Sequence, residues 1–421
     1  MNTAQNIIFR EGVVSIQNIK CFFFPTNYWI NFFNILDIYL DEHLDEYLHK
    51  NLEKDLYENL NKNLINNSNN KENNQESNKK TNIRTIGEDC IKLHKKSNFL
   101  LQSSVIDGKL LSELSFENLI LFLNSLGTHK VICKKINSNK ILVKFSKKIN
   151  LKIKKILNHQ LNLELEYILL GIIKGYFESK NIFISIQFLE DKYSKSNTNN
   201  FIITTKKSSN KLSSSKLSFQ KYIFENISPK NTSSNNTPLK NTSYKVKKIL
   251  KNILIKGNLQ IKDSEIFLFK MNGMLFPIYT ILSLLPQSSK FEKEFLKLGY
   301  EQGVLCTQLH NKKFGIKTNQ KIIPNIVNLS DISGLGNFEI ISNTFPIKLK
   351  FKPSFEELIH KNNQLLQKHI FEIAKGAIEE AYSCTCKIIV HKNIIIYEKI
   401  QKNKNQIITH KESSKLNLHT L

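Results

Sequence analysis

The sequence GLGNFEIISNTFPIKLKF, which spans residues 334–351, carries the clearest folding signal of the chain. It opens with a Leu-Gly step, runs through an apolar segment and a turn, and ends in Ile347-Lys-Leu-Lys-Phe351. Alternation of apolar and polar residues is typical of a strand with one buried face. The stretch therefore predicts a half-buried β-hairpin.

An earlier stretch has the same layout. SLGTHKVICKKINSNKILVKF, at residues 125–145, starts from the Leu126-Gly127 pair and ends in an Ile-x-x-Lys-Phe strand. We align this pair with Leu335-Gly336 and the two final phenylalanines with each other. The chain thus has two copies of the same predicted hairpin, which indicates an internal repeat.

Two further blocks recur in the same order. GVVSIQNIKCFFFPTNYWINFFNIL (12–36) resembles GNLQIKDSEIFLFKMNGMLFPIYTIL (257–282), with Phe22 aligned to Phe267 and Phe24 to Phe269. EYILLGIIKGYFESKNIFISIQF (166–188) resembles HIFEIAKGAIEEAYSCTCKIIV (369–390), and both contain Lys-Gly-x-x-Glu, at Gly175 and Gly376. In both copies of this last block, at 166–188 and 369–390, the pattern predicts an amphipathic helix followed by a strand.

The repeated blocks predict an α+β protein of two tandem domains, each an antiparallel sheet with helices packed on one side. Low-complexity composition sets the boundaries, because segments without apolar residues cannot offset their ordering entropy. We predict a first domain at 1–193 with a polar insertion at about 66–81, and a Ser/Asn/Lys-rich linker at 194–256. The second domain spans 257–400 and a polar tail follows at 401–421.

The charge of the 421-residue chain is strongly positive, at +25. Nearly all of the 61 basic residues are lysine, since only Arg10 and Arg84 are arginine. Arginine is the residue that clamps phosphate bidentately and reads guanine. Much of the excess lies in the predicted linker, so we interpret it mainly as solvated lysine. Contact with nucleic acid or an acidic membrane surface is the alternative.

Leucine recurs every fourth residue from Leu40 to Leu64. A four-residue period drifts by about 40° per step around an α-helix, so a single flat core cannot cover the whole stripe. Two interpretations stay open: a projecting helix that meets a partner, or an expansion of which only the first turns pack.

Nine residues, Phe295-Leu-Lys-Leu-Gly-Tyr-Glu-Gln-Gly303, resemble the Leu-Gly-Tyr-x-x-Gly helix of the 4-vinyl-reductase-type domain superfamily. Ile373–Glu379 resembles the late helix of the same family, and the Leu335-Gly336 step also fits. The superfamily includes archaeal predicted hydrocarbon-binding proteins, sensor domains of aromatic-responsive activators and the small subunits of the TRAPP tethering complex. The resemblance covers about residues 257–399 and, more weakly, 12–188.

The resemblance implies a small apolar ligand held between the helical layer and the sheet of the second domain. The candidate ligand-binding residues are Leu298, Tyr300, Gly303, Ala374, Gly376 and Ile378. There are departures from the family pattern. The last helix–strand unit lacks the family's terminal cysteines, and the first domain lacks a clear Gly-Tyr-x-x-Gly helix, whose place we assign to residues 40–60 and the polar insertion.

Catalytic signatures are missing from the sequence: it has no phosphate loop, nucleophile elbow or zincin helix. Cys384 and Cys386 form one close thiol pair, but a zinc site needs about four ligands and no second pair exists. His369 and His391 flank the late helix–strand unit without the spacing of a metal helix. We therefore expect no catalytic residues, no metal and no cofactor.

The sequence predicts a non-enzymatic, cytoplasmic binding protein for a small apolar ligand, acting as a sensor or scaffold. Two alternatives remain: a TRAPP-like assembly module, including a homo-oligomer formed through the helical layer, and a nucleic-acid-associated regulator that uses the lysine-rich linker. A reductase-like enzyme is a third reading, which rests only on the name of the family.

Overall fold

A computed structural model describes residues 7–10, 12–51, 96–146, 155–189, 198–207, 259–262, 265–268, 271–314, 322–358 and 360–400. The polar insertion, most of the predicted linker and the C-terminal tail lie outside these residues. Among the described helices, none combines the length and the apolar character needed to cross a membrane.

The first half begins with three strands and a long helix and ends with a helix and two strands. Its elements are β1 (Ile7–Arg10), β2 (Val13–Ile16), β3 (Ile19–Pro25), α1 (Thr26–Asn51), α2 (Val105–Leu110), α3 (Phe116–Ser125), β4 (Lys130–Lys135), β5 (Lys140–Ser146), α4 (Lys155–Ser179), β6 (Ile182–Leu189) and β7 (Thr198–Lys207). Residues 96–103 are also helical and lead into α2 through a turn at Ser104.

The second half runs through the same order of elements. They are β8 (Leu259–Lys262), β9 (Glu265–Leu268), β10 (Met271–Pro277), α5 (Ile278–Leu284), α6 (Ser289–Phe314), α7 (Ile322–Ser333), β11 (Gly336–Ser342), β12 (Ile347–Pro353), α8 (Asn363–Tyr382), β13 (Cys386–His391) and β14 (Ile394–Lys399). The predicted alternation of β12 is confirmed, since Ile347, Leu349 and Phe351 are buried and the lysines between them are not.

The described strands form three antiparallel sheets. Each half has one four-stranded sheet, with the orders β4-β5-β7-β6 and β11-β12-β14-β13. The third sheet is shared and six-stranded, in the order β1-β2-β3-β10-β9-β8. The predicted α+β class, with antiparallel sheets and helices, is therefore confirmed, but the shared sheet was not predicted.

The shared sheet has a local two-fold symmetry about the pair Phe23 and Leu275. These residues face each other at the centre of the β3–β10 ladder, while Pro25 pairs with Gly273 and Cys21 pairs with Pro277. The equivalent of Pro25 is thus Pro277. It follows that the predicted alignment of Phe22 with Phe267 and Phe24 with Phe269 is wrong, because their structural equivalents are Met274 and Phe276.

The alignment of the Leu-Gly steps is also wrong. Gly127 and Gly334 both adopt a left-handed φ, at +76° and +77°. Each lies against equivalent points of the shared sheet: Gly127 approaches the Gly273 carbonyl, and Gly334 approaches the Cys21 carbonyl. The equivalent of Gly127 is therefore Gly334 rather than Gly336. A tight turn packed against the central strands of the shared sheet requires this backbone conformation, which glycine adopts without strain.

The helices that follow the two central strands cross over to the opposite half. From α1, Tyr28 hydrogen-bonds with His369 of α8 at 2.8 Å. From α5, Thr280 donates to the Asp107 carboxylate of α2. Both buried hydrophobic cores accordingly contain side chains from both halves. In α1 the first leucine of the predicted stripe, Leu40, is buried, and the later leucines lie outside the residues whose side chains are described.

The predicted start of the linker at residue 194 is wrong. Thr198–Lys207 is strand β7, and it pairs with both β5 and β6 in the middle of the first four-stranded sheet. Phe201 and Ile203 are fully buried there. The segment FIITT at residues 201–205 has the pattern of a strand, but the Ser, Asn and Lys residues around it placed it within the predicted linker.

We expect Phe201→Ala to destabilise the protein by about 3–5 kcal/mol, because it leaves a cavity in a central strand. Chemical denaturation followed by circular dichroism measures the change. Phe183→Ala on the adjacent strand β6 is the matched control: Phe183 is 55% exposed, so its loss should change stability far less. Equal effects of the two substitutions would contradict the placement of β7.

Candidate functional site

The two glycine-containing helices of the second half, α6 and α8, touch along their backbones. A β-carbon added at Gly303 would lie 1.9 Å from the Ile373 carbonyl oxygen. One added at Gly376 would lie 2.1 Å from the Tyr300 carbonyl oxygen. Neither position has room for any side chain, so both glycines are required for helix packing.

The first half contains the same crossing. A β-carbon at Gly108 would lie 1.9 Å from the Ile172 oxygen, and one at Gly175 would lie 1.9 Å from the Val105 oxygen. Gly108 and Gly175 are therefore the equivalents of Gly303 and Gly376. The helical residues 96–110 occupy the place that the sequence analysis assigned to residues 40–60. This helix was missed because Ser104 stands where the second half has Gly299.

Tyr300 is held at the edge of the helix pair. Its hydroxyl donates to Glu379 Oε2 at 2.8 Å, and Glu379 Oε1 accepts the backbone N–H of Cys386. Burial and the neighbouring Glu379 carboxylate raise the pKa of Tyr300 above its ordinary value. This network ties α6 to α8 and to the start of β13.

An apolar cavity of about 90 Å³ lies beside the α6–α8 crossing, between these helices, α7, β3 and β11. This volume is several times the roughly 10–15 Å³ that a single water molecule needs. Its apolar lining includes Phe23, Phe24, Ile326, Leu335, Phe338 and Ile370. Phe23 and Phe24 come from the first half, so the cavity is completed by the shared sheet.

Two of the six predicted ligand-binding residues, Gly303 and Ala374, line the cavity. The other four do not. Leu298 and Ile378 are core side chains, Gly376 is closed by the Tyr300 backbone, and Tyr300 is engaged by Glu379. The resemblance located the correct pair of helices but not the face that borders the cavity, because that face depends on β3, which is distant in sequence.

Small side chains leave the cavity open. Ala374, Ala377 and Cys306 line it, and their equivalents in the first half are Ile173, Tyr176 and Leu111. Those three larger side chains are buried in the core of the first half. The same crossing of helices is thus filled by protein atoms in one half and open in the other.

Polar groups of the cavity lie on α6 and α7. Thr307 and Ser330 donate their hydroxyl protons to backbone carbonyls, those of Gly303 and Gly336. Gln302 Nε2 donates to Cys306 Sγ at 3.0 Å. Burial raises the pKa of Cys306 to about 11, so its thiol is protonated near neutral pH and is a weak nucleophile. No charged side chain borders the cavity among the residues that line it.

The other candidate groups are engaged within the protein. His369 is fully buried between Tyr28 and the Phe295 carbonyl, and burial lowers its pKa to about 3. Its imidazole is neutral and structural, and it is not paired with His391. The thiols of Cys384 and Cys386 lie 3.6 Å apart. Within the described ranges, no three His, Cys, Asp or Glu side chains are grouped to hold a metal ion.

Asp107 is the most perturbed carboxyl of the helical crossing in the first half. It is fully buried, accepts a hydrogen bond from Thr280, and has its pKa raised by desolvation from 3.8 to about 7. The position equivalent to Asp107 in the second half is Gln302, immediately before Gly303. A polar residue thus stands beside the crossing in both halves.

Gly376→Ala is expected to destabilise the protein by about 1–3 kcal/mol, because the added methyl group meets a backbone carbonyl that cannot move independently. The loss should be the same with and without an apolar ligand, and thermal melts measure it. Lys375→Ala, at the half-buried neighbouring position, serves as control. A Gly376→Ala variant with unchanged stability and lost ligand binding would show that this glycine borders the ligand instead.

Stability should also depend on pH through Asp107. Its pKa is raised on folding, so the folded state binds a proton more tightly, and this contribution is present at low pH and lost as pH rises from about 4 to 7. The slope for one such group reaches about 1.4 kcal/mol per pH unit. Asp107→Asn keeps an acceptor for Thr280 but cannot ionise. In denaturation experiments at pH 5, 6 and 7, the free energy of unfolding of the variant should increase relative to that of the wild type as pH rises. The same pH dependence for both proteins would contradict the raised pKa.

Comparisons with protein-family models, with curated proteins and with solved structures gave no match to this chain. The resemblance to the 4-vinyl-reductase-type superfamily is accordingly still a prediction, and arguments about function rest on the geometry of the cavity.

Proposed function

We propose that this chain is a non-enzymatic binding protein that holds a small apolar ligand in the cavity between α6, α7, α8 and β3. The proposal rests on a comparison of the two equivalent helix crossings. The crossing in the first half has three large core side chains, where the crossing in the second half has Ala374, Ala377 and Cys306. Filling a core is favourable, because empty space forfeits dispersion contacts. A ligand would restore those contacts.

The character of the lining supports an apolar ligand. Aromatic and aliphatic side chains make up most of it, and polar groups are few, as in many small-molecule sites. Burial of such a ligand contributes roughly 25 cal/mol per Å² of apolar surface. A protein cavity of about 150 Å³ can hold benzene, so this smaller cavity of about 90 Å³ limits the ligand to a ring no larger than benzene or to a short chain.

The resemblance proposed from the sequence agrees with this function, since it implies an apolar ligand beside the same two helices. The alternatives of an assembly module and a nucleic-acid-associated regulator remain open predictions. For the second, the part of the linker beyond β7 lies outside the described residues, so the described structure offers no geometry in its favour.

Titration with benzene, followed by saturation-transfer NMR, tests the proposal. We expect wild-type protein to bind benzene. Ala374→Ile and Ala377→Tyr, which introduce the residues of the first half, should weaken binding at least about tenfold. Ala381→Ile, on the same helix but away from the cavity, is the control. Cys306→Leu provides a second filled variant if the others fold poorly.

Thermal melts of the filled variants should show stability equal to or above that of the wild type, because the new side chains occupy empty space. The affinity for the apolar ligand should change little between low and high salt. The affinity for a polyanion would instead fall steeply as the salt concentration rises. Undiminished benzene binding by all filled variants would contradict the proposal.

A further inference from the structure

Gln302 is a buried polar residue with an unused acceptor. Its side chain lines the cavity and the residue is only 6% exposed. Its amide nitrogen donates to Cys306, while no described group donates to its amide oxygen. An amide oxygen beside a cavity that receives no protein donor can accept a hydrogen bond from a bound molecule.

The first half shows what kind of partner this position takes. There the equivalent residue, Asp107, receives the hydroxyl of Thr280 from α5, the helix that crosses from the other half. By the symmetry of the shared sheet, the equivalent of Thr280 is Tyr28. The Tyr28 hydroxyl is directed to His369 instead. The second half therefore has the polar position but lacks the protein hydroxyl that would satisfy it.

We infer that the ligand carries an uncharged hydroxyl group that donates to Gln302 Oε1, in the role that the Thr280 hydroxyl has at Asp107. This inference rests on the proposed function and narrows it to a compact apolar alcohol. The apolar part of the ligand lies against Ala374, Ala377 and Phe338, in the space left open by the small side chains. A charged headgroup is excluded from this position, because no lining side chain offers an opposite charge and burying an unpaired charge is costly.

Two isomeric probes separate the hydroxyl contribution from apolar burial. 1-Hexanol and 1-methoxypentane have the same atoms, but the ether cannot donate a hydrogen bond. Saturation-transfer NMR titrations of the full chain should show 1-hexanol binding about two- to tenfold more tightly, the range that one net hydrogen bond supplies. Hexanoate and hexylammonium should bind more weakly than either isomer.

Gln302→Leu should remove the preference for the alcohol while it leaves affinity for the ether unchanged or raised. Gln302→Met is a second variant of similar volume. Gln308→Leu is the matched control, because Gln308 lies on the same helix and donates to Glu380 outside the cavity. The control should keep the wild-type preference.

The outcomes are distinguishable. Equal affinity of the wild type for the two isomers, or a preference that survives in Gln302→Leu, would overturn the role of Gln302 and leave the apolar site standing. Failure of both isomers and of benzene to bind would overturn the proposed function and this inference together.

Discussion

The antiparallel pairing of β3 with β10 is the constraint on which the rest of the structure depends. The ladder is centred on Phe23 and Leu275, so each strand presents the same edge to the other. Because the strands run in opposite directions, the helix that follows each one is directed over the opposite half. The exchanged contacts of Tyr28 with His369 and of Thr280 with Asp107 are consequences of this one register.

Because these helices cross over, each hydrophobic core contains side chains from both halves, and the two halves are packed as one unit. One core joins Phe22 and Trp29 of the first half to side chains of α6 and α8, and the other joins Leu275 to the core of α4. Boundaries drawn along the sequence therefore do not follow the boundaries of the cores. Contacts so distant in sequence give no local pattern, which is why a description as two tandem units omits them.

Features with a local signal could be predicted from the sequence. The hairpin that ends at Phe351 follows from strict alternation, and the helix that contains Gly376 follows from its amphipathic pattern. Features set by distant partners could not. The alignment of the two halves was wrong at this point because Phe267 and Phe269 match the aromatic run at Phe22–Phe24 better than the true equivalents, Met274 and Phe276, do. The cavity face of α6 was missed because it is defined by β3.

The two helix crossings show how one scaffold supports two different interiors. Backbone contact at the glycines fixes the separation of the helices in both halves, so the volume beside the crossing depends on a few neighbouring side chains. Tyr176 and Ile173 fill that volume in the first half, and Ala377 and Ala374 leave it open in the second. One polar position lies beside each crossing, and it is occupied by Asp107 in the first half and by Gln302 in the second. A carboxyl there requires a fixed internal donor and has a raised pKa, whereas a neutral amide tolerates an exchangeable one. For the ligand proposed above, the neutral amide of Gln302 is therefore better suited than a carboxyl to a hydroxyl donor that is present only in the complex.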